Sequence, residues 1–116
     1  MGIIERRLAD LPQKVGYVLL DTRARIIASS MNVPPGALAR VPTIVGSATM
    51  MMKAMFRRNL CWVTIVDESG ETFYYLIELG RVMLIFSVPR AIVSIFEDNV
   101  LPHLKKEINN WLEMLR

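Results

Sequence analysis

Apolar residues recur along this chain with two periods, and the switches between them mark out the elements. Ile4, Leu8 and Leu11 fall at helical spacing among Glu5, Arg6, Arg7 and Asp10, which predicts a short amphipathic helix stopped by Pro12. Lys14 to Asp21 and Arg25 to Ser30 read as two strands joined by a turn over Asp21 to Ala24. The first is apolar on both faces, as a strand inside a sheet is. Pro34, Pro35 and Gly36 end the second, because proline offers a ladder no amide donor.

The period then changes to that of a helix running from about Ala39 or Val41 to Arg58, with Pro42 accommodated in its first turn. Val41, Val45, Ala48, Met52 and Phe56 form one apolar stripe, and Ile44, Met51 and Met55 form a second beside it. So wide an apolar face calls for burial on more than one side. Alternation returns in Leu60 to Val66, Thr72 to Leu79 and Val82 to Val88, separated by turns at Ser69–Gly70 and Gly80–Arg81. The last of these strands is almost continuously apolar, which predicts a central position in an antiparallel meander. From Ile92 to Leu115 apolar residues again follow helical spacing, with Pro102 marking a kink or a restart after an Asn99 cap.

Composition narrows what such an assembly can be. At 116 residues the chain fits a single domain, 1–116, able to bury about 65% of its unfolded surface. An apolar fraction of 53% is high for so small a domain and predicts that some apolar surface enters a subunit contact. Its longest charge-free stretch, Ile26 to Ala39, is interrupted by polar residues and the Pro34 to Gly36 turn, so no membrane span is expected. Charged residues in the first turns replace the apolar core of a secretion signal, which makes the cytoplasm the expected location. Fourteen Lys and Arg against eleven Asp and Glu leave a net charge of +3, spread along the chain in a way that favours solubility over nucleic-acid binding.

No reaction centre is visible. His103 is the only histidine and has no companion ligands, so no metal is expected. The single cysteine, Cys61, sits in a strand-like run and reads as a small buried hydrophobe. Asp67, Glu68 and Glu71 flank a turn, where solvation alone accounts for them. The six glycines are isolated and build no phosphate loop, so no cofactor is expected either. Met50, Met51, Met52 and Met55 suit core or dimer packing, or a groove for a partner. Gly46 is costly in a helix unless another helix packs against it.

The order helix, two strands, helix, three strands, helix resembles the Roadblock family of dynein-light-chain-like domains, relatives of the longin and profilin-like folds. Its most specific pieces are Val15 to Asp21 leading into Ile26 to Ser30, similar to the family's opening hairpin, and Leu79 to Ile85, similar to its glycine-turned last hairpin. Where the family places a glycine in the first hairpin turn, this chain runs from Asp21 to Arg25 without one. The resemblance implies an α+β domain: one five-stranded antiparallel sheet with the middle helix on one face and the terminal helices on the other.

It also implies a homodimer made by pairing the middle helices and the third strands, with Ile44, Met51, Met55, Trp62 and Thr64 at the interface. Left unpaired, Leu60 to Val66 would be a bare apolar edge. The function implied is that of a non-enzymatic adaptor that binds or regulates a small Ras-like GTPase through Arg40, Ser47, Met50, Lys53 and Arg57. The alternatives are a scaffold subunit of a motor, trafficking or motility complex, and a profilin-like small-molecule sensor with its ligand between sheet and helix.

Overall fold

The computed structural model describes residues 2–115. Its five strands are β1 (Gly16–Asp21), β2 (Ile26–Ser29), β3 (Val63–Val66), β4 (Thr72–Leu79) and β5 (Val82–Pro89). They form a single antiparallel sheet in the order β2-β1-β5-β4-β3. The nearly continuous apolar run of β5 is therefore central, paired with β1 on one side and β4 on the other. Glycines close the two tight reversals at positive φ, 74° at Gly70 and 65° at Gly80, a region that side chains with a Cβ avoid.

Helices cover both faces, giving the α+β sandwich that the element order implies. α1 (Gly2–Ala9) and the C-terminal helix lie on one face, and α3 (Val41–Phe56) lies on the other after a short turn of helix, α2 (Pro35–Leu38). The two layers are unequal. On the terminal-helix side eighteen buried residues pack together, among them Ile4 and Leu8 of α1 and Tyr17, Tyr75 and Phe86 of the sheet. On the α3 side the buried cluster has eight members, of which α3 itself contributes only Val41 and Val45.

Aromatic contacts and two buried-side hydroxyls tie the thicker layer together. Phe96 stacks against Tyr75 and Phe86 with ring centroids 5.1 Å apart in each pair, in tilted and edge-on geometries favoured by the ring quadrupoles. The Tyr17 hydroxyl donates to Glu5 Oε1 of α1 at 2.5 Å, and the Tyr75 hydroxyl donates to Glu97. Burial, reinforced by the Glu5 carboxylate, pushes the Tyr17 phenol up to about 12. Tyr75 is raised further, for the same reasons, with Glu97 as its partner. Both hydroxyls thus stay protonated donors at neutral pH.

The C-terminal helical stretch is more broken than its apolar spacing suggests. It opens with a tight turn at Arg90–Ile92, passes through α4 (Val93–Ile95) and a wide π turn at Phe96–Val100, and becomes regular as α5 (Leu101–Met114). Pro102 sits in the first turn of α5, where a missing N–H costs nothing, so it marks a restart; Asn99 does not cap it. The third strand is shorter than Leu60 to Val66, because pairing with β4 begins only at Val63 opposite Leu76. In the Met-rich helix the expected stripe is buried only at its N-terminal half. Ala48 and Met52 are half-buried and Phe56 is exposed, since α3 runs past the core.

Candidate protein-binding site

The thin layer leaves a large apolar surface in water. Met50, Met51, Met55 and Phe56, in the last two turns of α3, are 73%, 52%, 66% and 57% exposed, and Ile44 is exposed one turn and more before them. Isolated exposed apolar residues are ordinary, whereas four large ones in seven successive positions form a patch. The local sequence makes this end of the helix well defined. Arg57 ends it in the left-handed region (φ 52°), its N–H donating to the Lys53 carbonyl at 3.1 Å while the Arg58 N–H donates to the Met52 carbonyl at 3.3 Å. A non-glycine residue in that conformation costs about 1 kcal/mol.

Cations frame the patch, and the segment that builds it carries no anion. From Thr22 to Val66 the chain carries no Asp or Glu, while it carries Arg23, Arg25, Arg40, Lys53, Arg57 and Arg58. Arg25 is engaged with Asp21, Nε to Oδ2 at 2.8 Å. Arg40, Lys53, Arg57 and Arg58 are exposed and make no ion pair among the described residues. Arg40 stands at the N-terminal end of α3, where no side chain caps the helix and where its charge opposes the helix dipole. A helix of sixteen residues separates it from Arg57 by roughly 24 Å, so the cations mark the two ends of the exposed face.

β3 supplies the second part of the site. It is the outermost strand, and its outer backbone groups have no partner strand among the described residues. Side-chain direction divides its residues between the two faces. Val63 packs into the cluster under α3, and Ile65, two residues on, points the same way and is exposed. Trp62 packs on the opposite face against Tyr75, ring centroids 6.2 Å apart, and Thr64 pairs opposite Tyr75.

The residues expected at a dimer interface are thus placed in two groups. Ile44, Met51 and Met55 form an exposed stripe on α3, and Trp62 and Thr64 lie at the sheet edge on the terminal-helix side. All five residues expected to meet a partner, Arg40, Ser47, Met50, Lys53 and Arg57, are exposed on or beside α3. Phe56, Arg58 and Ile65 belong to the same surface and were not in either group. Phe56 shared a period with buried residues, and only its position past the core exposes it. Arg58 could have been found from its adjacency to Arg57.

Other features of the molecule carry less chemistry. Cys61, expected to be buried, is exposed just outside β3, with Lys105 Nζ 3.6 Å from its Sγ. No cluster of His, Cys, Asp and Glu suited to a metal ion occurs among the described residues, and no described helix is long and apolar enough to cross a membrane. A groove of about 530 Å³ lies between α1 and α5, on the side of the sheet away from α3. It is open, and the Arg7–Glu107 pair, with Nε to Oε1 at 2.7 Å, sits at its wall.

Known structures with this arrangement share its fold at low sequence identity. A Roadblock/LC7 domain from Streptomyces avermitilis matches with a TM-score of 0.74 and 14% identity over 97% of this chain and 96% of that one. MglB of Myxococcus xanthus matches with a TM-score of 0.79 and 15% identity, covering 97% of this chain and 94% of its own. Acanthamoeba castellanii profilin IA is more distant, at 0.57 and 14%, with 83% and 85% covered. No family model matches the sequence, and no curated protein matches it by sequence. The fold is the Roadblock, longin-like one, with the profilin likeness expected of that group.

Proposed function

We propose that the chain is a non-enzymatic, cytoplasmic homodimeric adaptor that binds or regulates a small Ras-like GTPase. One observation carries the reading: on a Roadblock-type fold, the exposed Met-rich stripe of α3 occurs together with an unpaired, apolar outer strand. Burying both in a copy of the same chain would remove the apolar surface that water now meets. Ile44, Met51 and Met55 would join across the helices, with Trp62 and Thr64 flanking the joined strands. Arg40, Ser47, Met50, Lys53 and Arg57 would present a basic surface with an adaptable methionine at its centre. If hydrolysis of GTP is stimulated, the adaptor would do so by ordering the GTPase's own switch loops, not by inserting a catalytic side chain.

The test has two arms. Light scattering should give a dimer for the wild type and a folded monomer for Met51→Glu. A panel of small GTPases from the source cell, each loaded with GDP or a non-hydrolysable GTP analogue, should contain one retained by the immobilised dimer. Retention of none in either state would remove the GTPase from the proposal and leave the dimer standing.

A further inference from the structure

Before and after β3 the chain places opposite charges. Arg57 and Arg58, the last cations of the acid-free segment, precede it, and Asp67, Glu68 and Glu71 follow it in the turn to β4. All five are exposed, and none makes an ion pair among the described residues. The acidic turn is tightly built: Ser69 Oγ donates to Asp67 Oδ1 at 2.9 Å, and the Gly70 N–H donates to the Asp67 carbonyl at 3.0 Å. Three acidic residues thus follow one end of an open strand, and two guanidinium groups precede the other.

From this we propose that, in the dimer already proposed, where β3 meets β3 of a second copy, Arg57 and Arg58 of each copy lie against Asp67, Glu68 and Glu71 of the other. The proposal rests on the dimer reading above and specifies how that dimer is selected. A two-fold axis through Thr64 sets Val63 opposite Ile65 of the other copy, each on the α3 face, so continuing along the edge brings Leu60 and Cys61 alongside Glu68 and Asp67. The stretch carrying Arg57 and Arg58 then faces the acidic turn, and symmetry repeats the contact at the far end. Parallel pairing would set cations against cations and acids against acids. Like charges so placed repel, and the sequence around β3 thus favours one orientation of one partner.

Two paired charge reversals test this by sedimentation equilibrium at low and high salt. Arg57→Glu with Arg58→Glu makes both ends of the dimer all-acidic, and Asp67→Lys with Glu68→Lys makes both ends predominantly basic, with Glu71 the one acid left. Each variant alone should dimerise roughly tenfold or more weakly than the wild type in low salt. Mixing the two should restore a dimer, because the mixed pair is complementary at both ends. All the positions are exposed, and circular dichroism checks that each variant keeps its fold. A wild-type dimer indifferent to both reversals and to salt would overturn the charge pairing while leaving the dimer itself intact. A wild type that stays monomeric would overturn the dimer reading, and this inference with it. Growth beyond two copies would show β3 joining a different edge and would overturn the two-fold arrangement.

Discussion

The sheet ends in two edge strands of the same length, four residues each, and they are finished differently. Pairing of β2 with β1 shifts register between Leu19 and Leu20, so that Leu20 meets Ile26 and Leu19 meets Ala28, leaving Ile27 as the extra residue of a bulge. A bulge twists an edge away from flat pairing. The turn before β2 is tied down as well: the Asp21 carboxylate accepts the Arg23 and Arg25 amides, each at 2.9 Å. On the far side, β3 meets β4 in unbroken register from Val63–Leu76 to Val66–Phe73, with no proline, bulge or charge inside the strand. Of two exposed edges, one is blunted and the other is left ready to pair. The ready one belongs to the same corner as the thinly covered face under α3, where Val63 enters the smaller core. Exposed isoleucines alone do not separate the two, since β2 has Ile26 and Ile27 and β3 has Ile65. Backbone regularity does.

Several substitutions would break or sharpen this contrast. The largest effect is expected for Met51→Glu, which puts a charge into the proposed helix contact: the dimer dissociation constant should rise about 100-fold or more, read by light scattering across a dilution series. Ile65→Lys should come next, because an edge lysine is a standard barrier to strand pairing, and a loss of roughly tenfold is expected. Its control, Ile27→Lys on the blunted edge, should leave the mass unchanged; equal losses from both would erase the distinction between the edges.

Smaller effects concern the β2 turn itself. Ala24 adopts φ 61°, so the position where a glycine is missing does demand a glycine's backbone. Ala24→Gly should stabilise the fold by about 1 kcal/mol, a rise of about 4 °C in Tm, with no change in oligomeric state. Asp21 is held below its ordinary value chiefly by the Arg25 amide, helped by the Arg23 amide and the Arg25 guanidinium and opposed by desolvation. A depressed folded value means that this support is complete above the ordinary carboxylate range and fades as pH falls through the folded value. Amide exchange at Arg23 and Arg25 should therefore accelerate below about pH 4. The smallest effect is expected for Arg40→Gln, which removes a charge opposed to the α3 dipole. It should raise subunit stability by about 0.3–1 kcal/mol while weakening capture of an acidic partner surface.

Much of this molecule is legible from local pattern. The alternation of Val82 to Val88, the glycines at positions 70 and 80, and the helical spacing from Val41 onward each reflect chemistry acting over a few residues. They suffice for element order and for the central place of β5. Two local readings failed for one reason. Cys61 has apolar neighbours and Phe56 shares the period of buried residues, yet both are exposed, because burial is decided by what another element brings to that spot. Among the described residues nothing reaches far enough along α3 to cover Phe56, and β4 pairing starts two residues after Cys61.

By itself, then, the sequence determined the succession of strands and helices, the turns between them, and the charges that flank β3, because periodicity, proline and glycine act locally. Tertiary structure alone decided that the bulge falls on β2 and not on β3. It also decided that Trp62 turns toward Tyr75 while Val63 turns toward α3, and that the Met-rich end of the helix overhangs its core. Those outcomes depend on strand register and on how far each covering layer extends, quantities set by contacts between residues distant in the chain.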